Sequence, residues 1–315
     1  MLLSGLYNEK ERRLLEACTL CPHECHVDRF TKNTGICRTD AGINIASICV
    51  HRGEEPPVSG PDGICNIFFS GCNLHCIYCQ NHEISQSGTI PIKESMDIGT
   101  VLDRIDEIMK KGISSVGFVS PSHVVPLVKV IIEGMHERGL NPVTVYNTNS
   151  YDKVETIRSL DGLIDVYLAD YKYTTPEMAL NFSGVSDYPQ IALKAIKEMY
   201  YQKGSTLRID EKGRAENGLM IRHLVLPGHA EESKNVLRSI AEELSPGVHL
   251  SLMSQYHPVT NVTGHPDLHR SLYIDEYLEV TETMNELGFR NGWLQDMDSN
   301  KSYRPDFSKE HPFEL

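Results

Sequence analysis

From about residue 65 the chain alternates between short apolar runs and longer segments in which apolar residues recur every three or four positions. The run NIFFSG reads as a buried strand. SMDIGTVLDRIDEIMKKG then places Ile98, Val101, Leu102, Ile105, Ile108 and Met109 on one helical face before Gly112 ends it. The alternation repeats through SSVGFV and HVVPLVKVIIEGMHERG, PVTVYN and YDKVETIRSL, and LIDVYLAD and YPQIALKAIKEMYYQKG. It continues through GLMIRHLVLPG and EESKNVLRSIAEEL, and VHLSLMSQY and IDEYLEVTETMNELG. Strands apolar on both faces, each followed by a helix, predict a parallel sheet covered by helices. Six such units, with no glycine-rich phosphate loop of the doubly wound kind, predict an α/β fold: a partial (β/α)6 TIM-like barrel. TLRIDEKGRAENG, at 206–218, predicts a polar hairpin excursion, and DMDSNKSYRPDFSKEHPFEL a polar surface tail. The expected organisation is a small Cys-rich metal-binding extension over 1–60, the barrel core over 61–265, and a C-terminal helix and tail over 266–315.

Polar clusters fall at the ends of these strands. SPSH follows the second, YNTNS the third, DYKY the fourth, LPGH the fifth and QYHP the sixth. In βα barrels the C-terminal strand ends converge on one rim, where catalytic groups from separate strands meet. Tyr146, Asn147, Asn149, Asp170, Lys172, Arg222, His229 and His257 are therefore the candidate site residues. His229 and Arg222 are as readily structural hydrogen-bonding groups as site residues.

A formal charge of −13 over 315 residues, with no local run of Lys and Arg, argues against nucleic acid and anionic lipid as partners. The opening MLLSGLYNEKERR has an apolar piece too short for a signal region, and no later run reaches membrane-spanning length, so a cytoplasmic protein is expected. Nine cysteines in such a chain are metal ligands or buried small residues rather than disulfides.

The cysteines are clustered. Cys72, Cys76 and Cys79 form C-x3-C-x2-C directly after the first strand. Three thiolates on a [4Fe–4S] cubane leave one iron with open positions, which makes the site reactive. The competing reading is zinc held by three cysteines with His75, inside the loop, as the fourth ligand. Cys18, Cys21, Cys25 and Cys37 form C-x2-C-x3-C-x11-C, the pattern of a closed four-thiolate site holding zinc or an auxiliary iron–sulfur cluster. Cys49 and Cys65 read as buried small residues.

CNLHCIYC is similar to the CxxxCxxΦC signature of the radical S-adenosylmethionine (SAM) superfamily, with Tyr78 at the aromatic position. More closely, FFSGCNLHCIYCQN, YNTNSYDKVE, DVYLADYKY, IRHLVLPGH and SQYHP resemble the pyruvate formate-lyase activating enzyme family, in particular relatives with an N-terminal cysteine-rich extension. The likeness runs from about Glu16 to His257. It implies a partial barrel in which Cys72, Cys76 and Cys79 bind a [4Fe–4S] cluster whose fourth iron is chelated by SAM. It further implies Tyr78 near the adenine, Asp170, Lys172 and His257 at the ribose and methionine end, and Asn147 and Asn149 beside SAM or an adjacent cation. Arg222 and His229 would help line the site. The chain departs from the superfamily at VSPSH, which lacks a GGE-like motif and leaves Ser120, Ser122 or backbone carbonyls to receive the methionine amine.

The activity so implied is reductive cleavage of SAM to a 5′-deoxyadenosyl radical for hydrogen abstraction, under oxygen-free conditions. Its target is a glycine in a partner glycyl radical enzyme, or alternatively a small molecule or peptide. An electron donor such as flavodoxin or ferredoxin is the implied partner. A non-catalytic electron carrier or zinc-built interaction module is the remaining alternative, and it leaves Asp170, Lys172 and His257 on the rim unexplained.

Overall fold

The computed structural model describes residues 5–31, 34–86, 96–259, 262, 264–301, 305–309 and 312–313. In chain order the elements are α1 (Glu9–Glu16), β1 (Ile45–His51), α2 (Pro56–Ser59), β2 (Ile64–Phe69), α3 (His82–Ser85), α4 (Ile98–Met109) and β3 (Ser115–Val119). There follow α5 (Val125–Glu137), β4 (Val143–Thr148), α6 (Val154–Arg158), β5 (Val166–Asp170), α7 (Pro176–Ser183), α8 (Tyr188–Lys203) and β6 (Arg208–Ile209). The chain ends with β7 (Ala215–Leu224), α9 (Ala230–Glu243), β8 (His249–Met253), α10 (Ile274–Glu286) and β9 (Gly292–Leu294). The strands lie in the order β1-β2-β3-β4-β5-β7-β8-β9, with β6 a short antiparallel addition to β7. From β2 to β9 the main path is parallel, so the predicted partial barrel and its hairpin are both present. The sheet remains open between β1 and β9. No helix among the described residues is long and apolar enough to cross a membrane.

The predicted boundary at residue 60 does not separate an extension from the sheet. β1 pairs antiparallel with β2, from Ile45 opposite Phe69 to His51 opposite Ile64. A strand followed only by the four-residue α2, too short to carry an apolar stripe, lacks the strand–helix alternation on which the prediction relied. The short helix α7 was missed because its eight residues carry too few turns for a clear apolar stripe. Of the polar tail, only parts lie within the described residues, and two of its aromatic residues are not solvated. Phe307 and Phe313 pack on Phe68 with ring centroids 5.4 Å away in each case, and Phe313 lies 4.1 Å from the His51 ring.

Register decides what the barrel encloses. Phe68, Val119, Asn147, Leu168, Met220 and His249 lie in one line of paired residues, and Asp170, Arg222, Ser251 and Trp293 in the next inward line. Because side chains alternate along a strand, their immediate neighbours Ile67, Phe118, Tyr146, Tyr167 and Ile221 face the helices and join the main core. Inside, Ile64, Val145, Val166, Leu168 and Met220 pack with Val58, Leu207 and Ala215 to seal one end of the lumen with apolar groups. Tyr146 is thus corrected as a rim residue. It is fully buried on the helix side, its ring 5.9 Å from Tyr167, and its hydroxyl donates to Asp152 Oδ1 at 3.1 Å. Above the apolar plug, Gly117 leaves room for a polar group, since a Cβ there would stand 2.1 Å from Asn66 Oδ1.

Two buried histidines tie strand ends to the surrounding shell. His223 Nδ1 donates to the Tyr171 carbonyl at 2.7 Å and its Nε2 accepts from Ser233 Oγ at 2.9 Å, while His123 Nε2 donates to the Ser70 carbonyl at 2.9 Å. Burial drives both imidazoles down to about 4. A folded-state value below the unfolded one near 6.5 gives stability that is present above pH 6.5 and lost as pH falls toward 4. Urea unfolding of the metal-free protein should therefore weaken across that window by roughly 3 kcal/mol per histidine at full titration. A flat profile between pH 7 and 4 would refute this.

Candidate functional site

The loop after β2 opens at Gly71, whose φ of 74° and missing side chain are both required: a Cβ would stand 2.2 Å from the Cys37 carbonyl oxygen. Three buried or nearly buried thiols follow, each met by a donor or hydroxyl from a different place. Cys72 Sγ accepts from the Leu74 N–H at 3.4 Å and from Asn149 Nδ2 at 3.5 Å. Cys76 Sγ lies 3.0 Å from Ser183 Oγ, and Cys79 Sγ 3.3 Å from Ser85 Oγ. Tyr78 continues one of these links, its hydroxyl 2.5 Å from that of Tyr173, which in turn is 3.0 Å from Ser183 Oγ.

The thiols line a cavity of about 160 Å³ together with Tyr78, Asn147, Asn149, Asp170, Lys172 and Arg222. Six residues expected to bind a cofactor are thus brought to one place from the loop, β4, β5 and β7. Burial pushes all three thiols up, Cys76 to about 11, and Lys172 pulls each of them back. Burial opposes the charge on Lys172 too, yet Asp170, at 2.7 Å, and the adjacent thiols hold its ammonium above the ordinary value.

Other predicted residues lie elsewhere. His257 follows β8 and lines neither this cavity nor the larger one described below. His229 precedes α9, with its ring 5.2 Å from Phe182, and is likewise outside both. His75 turns to the Ile36 carbonyl at 3.1 Å, away from the thiols, which removes the imidazole that a three-cysteine zinc site needs. Of the two serines proposed in place of a GGE motif, Ser120 lines the cavity, in the left-handed region at φ 51°. Ser122 is buried against Thr148 Oγ1 at 3.2 Å. Cys65 is fully buried on β2, and Cys49 is buried beside it on β1, as read from the sequence.

Sequence reasoning missed the residues at the centre of the lumen. Glu54 and Glu55, between β1 and α2, reach inward and meet Arg222. Arg222 Nη1 donates to Glu54 Oε2 at 2.9 Å, and its Nε lies 3.6 Å from Glu55 Oε1 and 3.4 Å from Asp170 Oδ1. Asn66 and Asn147 donate to Glu54 Oε1 at 3.0 and 3.3 Å. Burial works against the charge on Glu54, but Arg222 and the Asn66 amide overcome it and hold the carboxyl below the usual range. Glu55 goes the other way, pushed up by burial against the pull of Arg222. The signal was two acids before two prolines, in HRGEEPPVSG, a pattern that by itself reads as a solvated loop. Glu54, Glu55, Arg222, Ser251, Trp293 and Phe313 help line a second chamber of about 480 Å³, which shares Asn147, Arg222 and Gln255 with the first.

The N-terminal cysteines are also gathered. Burial pushes Cys21 up to about 12, with the thiols of Cys37, Cys18 and Cys25 adding to it. The segment clamps the cysteine loop, with His23 Nε2 2.8 Å from the Asn73 carbonyl oxygen and Arg38 donating to that of Gln86. Among the described residues, no three His, Cys, Asp or Glu side chains are arranged to hold a metal ion. Thiolates around a single zinc must each come within about 2.3 Å of it, whereas a cubane spans a larger gap. For the loop thiols the fit to a cluster rests on their shared cavity and on the donors and hydroxyls directed at sulfur.

A family model described as a 4Fe-4S single cluster domain matches residues 58–188. That span contains Cys65, Cys72, Cys76 and Cys79 and none of the four N-terminal cysteines. With Cys65 in the core, the match supports a cluster on the three loop thiols. An uncharacterized protein of Methanocaldococcus jannaschii is 29% identical over 295 residues, covering 90% of this chain and 79% of that protein. The crystal structure of Streptococcus suis SuiB bound to S-adenosylmethionine matches with a TM-score of 0.50 at 14% identity, over 74% of this chain and 50% of SuiB. The chain therefore spans about half of SuiB's length, and the likeness is one of fold, an open α/β barrel built on a parallel sheet.

The Arg222 network makes a prediction of its own. Removing Arg222 leaves Glu54 and Glu55 buried without their cation, so Arg222→Met should cost about 3–5 kcal/mol in urea unfolding. Adding Glu54→Gln should recover part of that loss by removing one of the stranded charges. Equal stabilities for wild type and the single variant would refute the network's importance.

Proposed function

We propose that the chain is a radical SAM enzyme. The observation that carries this reading is three buried thiols, each with a donor or hydroxyl directed at sulfur, opening on one cavity with the Asp170–Lys172 pair. In this reading Cys72, Cys76 and Cys79 hold a [4Fe–4S] cluster, and SAM, which SuiB binds in its own structure, occupies the remaining space. When bound and reduced, the cluster supplies the electron that cleaves the sulfonium to methionine and a 5′-deoxyadenosyl radical.

The protein's own task is positioning. Ser183, Ser85, Asn149 and the Leu74 N–H stabilise charge on the cysteine sulfurs. Lys172 and Asp170 offer a donor and an acceptor to a zwitterionic ligand, and their mutual contact fixes both before it arrives. Tyr78 is held by Tyr173, so its ring presents a fixed apolar wall. Arg222 stands between this cavity and the larger one and keeps a polar wall facing the hydrogen donor.

Hydrogen abstraction from a small molecule in the larger chamber is favoured over abstraction from a glycine in a partner glycyl radical enzyme. Phe313 lines that chamber and packs on His51 and Phe68, narrowing the space a peptide loop would need. An electron donor such as flavodoxin or ferredoxin is required in either case. The N-terminal cysteines, docked on the loop, are proposed to hold zinc or an auxiliary cluster.

Full-length protein reconstituted with iron and sulfide without oxygen, and reduced with dithionite, should convert SAM to 5′-deoxyadenosine. Cys76→Ala should abolish this, and Lys172→Met should weaken SAM binding about tenfold. A loaded four-iron cluster that releases no 5′-deoxyadenosine would overturn the enzyme reading. A glycine-centred paramagnetic signal after mixing with a glycyl radical enzyme would restore the activase.

A further inference from the structure

Arg222, on the wall common to both cavities, sits in a cluster whose charges do not balance. Glu54, Glu55 and Asp170 surround Arg222, and Lys172 joins them through Asp170, so three carboxylates meet two cations. His51, on the wall of the larger chamber, does not supply the missing charge, because burial holds its imidazole below the ordinary value. Arg52 and Asp296, also on that wall, are both exposed and add one charge of each sign. Asp170 is bonded by Lys172, and Glu54 by Arg222, Asn66 and Asn147, which leaves Glu55 the least compensated of the three although the Ser251 hydroxyl lies beside it. The Glu55 side chain is 8% exposed, its Oε1 is 3.6 Å from Arg222, and its buried Oε2, like Asp170 Oδ1, has no hydrogen-bond partner. A buried carboxyl oxygen in that state costs free energy unless something supplies a donor.

Arg222 is a poor site for an anion. Its Nη1 and Nη2 are bonded to Glu54 and the Met253 sulfur, and its Nε, which has no hydrogen-bond partner, already faces the carboxylates of Asp170 at 3.4 Å and Glu55 at 3.6 Å. Beyond Glu55 the wall carries Trp293 and Phe313, apolar faces suited to a short carbon chain or to the face of a cation. We propose that this chamber binds a small substrate bearing a primary ammonium or guanidinium group, anchored on Glu55, with its carbon skeleton extended along Trp293 toward Arg222. The proposal rests on the enzyme reading only in taking this ligand to be the hydrogen donor. The ligand's charge would replace the proton that burial tends to keep on Glu55.

Trp293 is the single tryptophan of the chain and lines the chamber, so its fluorescence reports entry with neither cluster nor SAM present. Full-length protein titrated with n-butylammonium and n-butylguanidinium should show a saturable change that n-butyrate and 1-butanol do not produce. Glu55→Gln, with folding checked by its melting curve, should bind both cations at least about tenfold more weakly. Glu55→Asp should keep the preference for cations over butyrate. Butyrate binding as tightly as butylammonium, no response to either cation, or unchanged affinity in folded Glu55→Gln would each overturn the proposal. Should Glu55→Gln fail to fold, the wild-type selectivity series decides. Cation selectivity without 5′-deoxyadenosine formation would sink the enzyme reading alone, and the converse result would sink only the chamber assignment.

Discussion

One guanidinium holds the interior of this barrel together. Arg222, on β7, binds Glu54 and Glu55 from the segment between the first two strands and Asp170 from β5. These partners are far apart in sequence, up to 168 positions, and the sheet itself brings only Asp170 and Arg222 into register. The Glu54–Glu55 segment crosses the lumen because burying a charged arginine without partners would be far more costly than ordering the loop. Asn66 and Asn147 then spend their amide donors on Glu54, and Gly117 is compelled to lack a side chain so that Asn66 fits.

The same cluster divides the lumen into two unequal spaces. On one side stand the cysteine sulfurs, Asp170 and Lys172, and on the other Glu55, Ser251 and Trp293. Asp170 works on both sides, with one oxygen on Lys172 and the other near Arg222. A ligand that disturbs Lys172 therefore changes the electrostatic balance at Arg222 and, through it, at Glu55. Coupling between the cavities needs no conformational change here, since charges shared between buried side chains suffice.

How much could be read from the chain follows from which physical signals are local. The six strand–helix units were legible because each buries an apolar stripe of its own, and strand ends in a barrel share one rim whatever the details. That logic placed Asn147, Asp170, Lys172 and Arg222 beside the cysteines correctly. It failed at Tyr146, where rim membership depends on strand parity, and Val145 and Asn147 take the inward positions on either side of it. His257 and His229 also follow strand ends, but they line neither cavity. Glu54 and Glu55 were illegible for a different reason. Their role depends on a charge 167 or more positions away, and adjacent acids before prolines carry no local mark of burial.

The placement of the N-terminal segment argues for a structural dependence between the two cysteine groups. Cys37's carbonyl packs so tightly on Gly71 that only glycine fits, and His23 and Arg38 donate to the carbonyls of Asn73 in the cysteine loop and Gln86 at the end of its following helix. The loop carries Cys72, Cys76 and Cys79 but has few backbone hydrogen bonds of its own to fix it, so its shape is set from outside. Whatever holds Cys18, Cys21, Cys25 and Cys37 together thus also holds the neighbouring thiols in place. A closed four-thiolate group would serve that purpose as well without redox chemistry as with it, because the demand on the segment is rigidity.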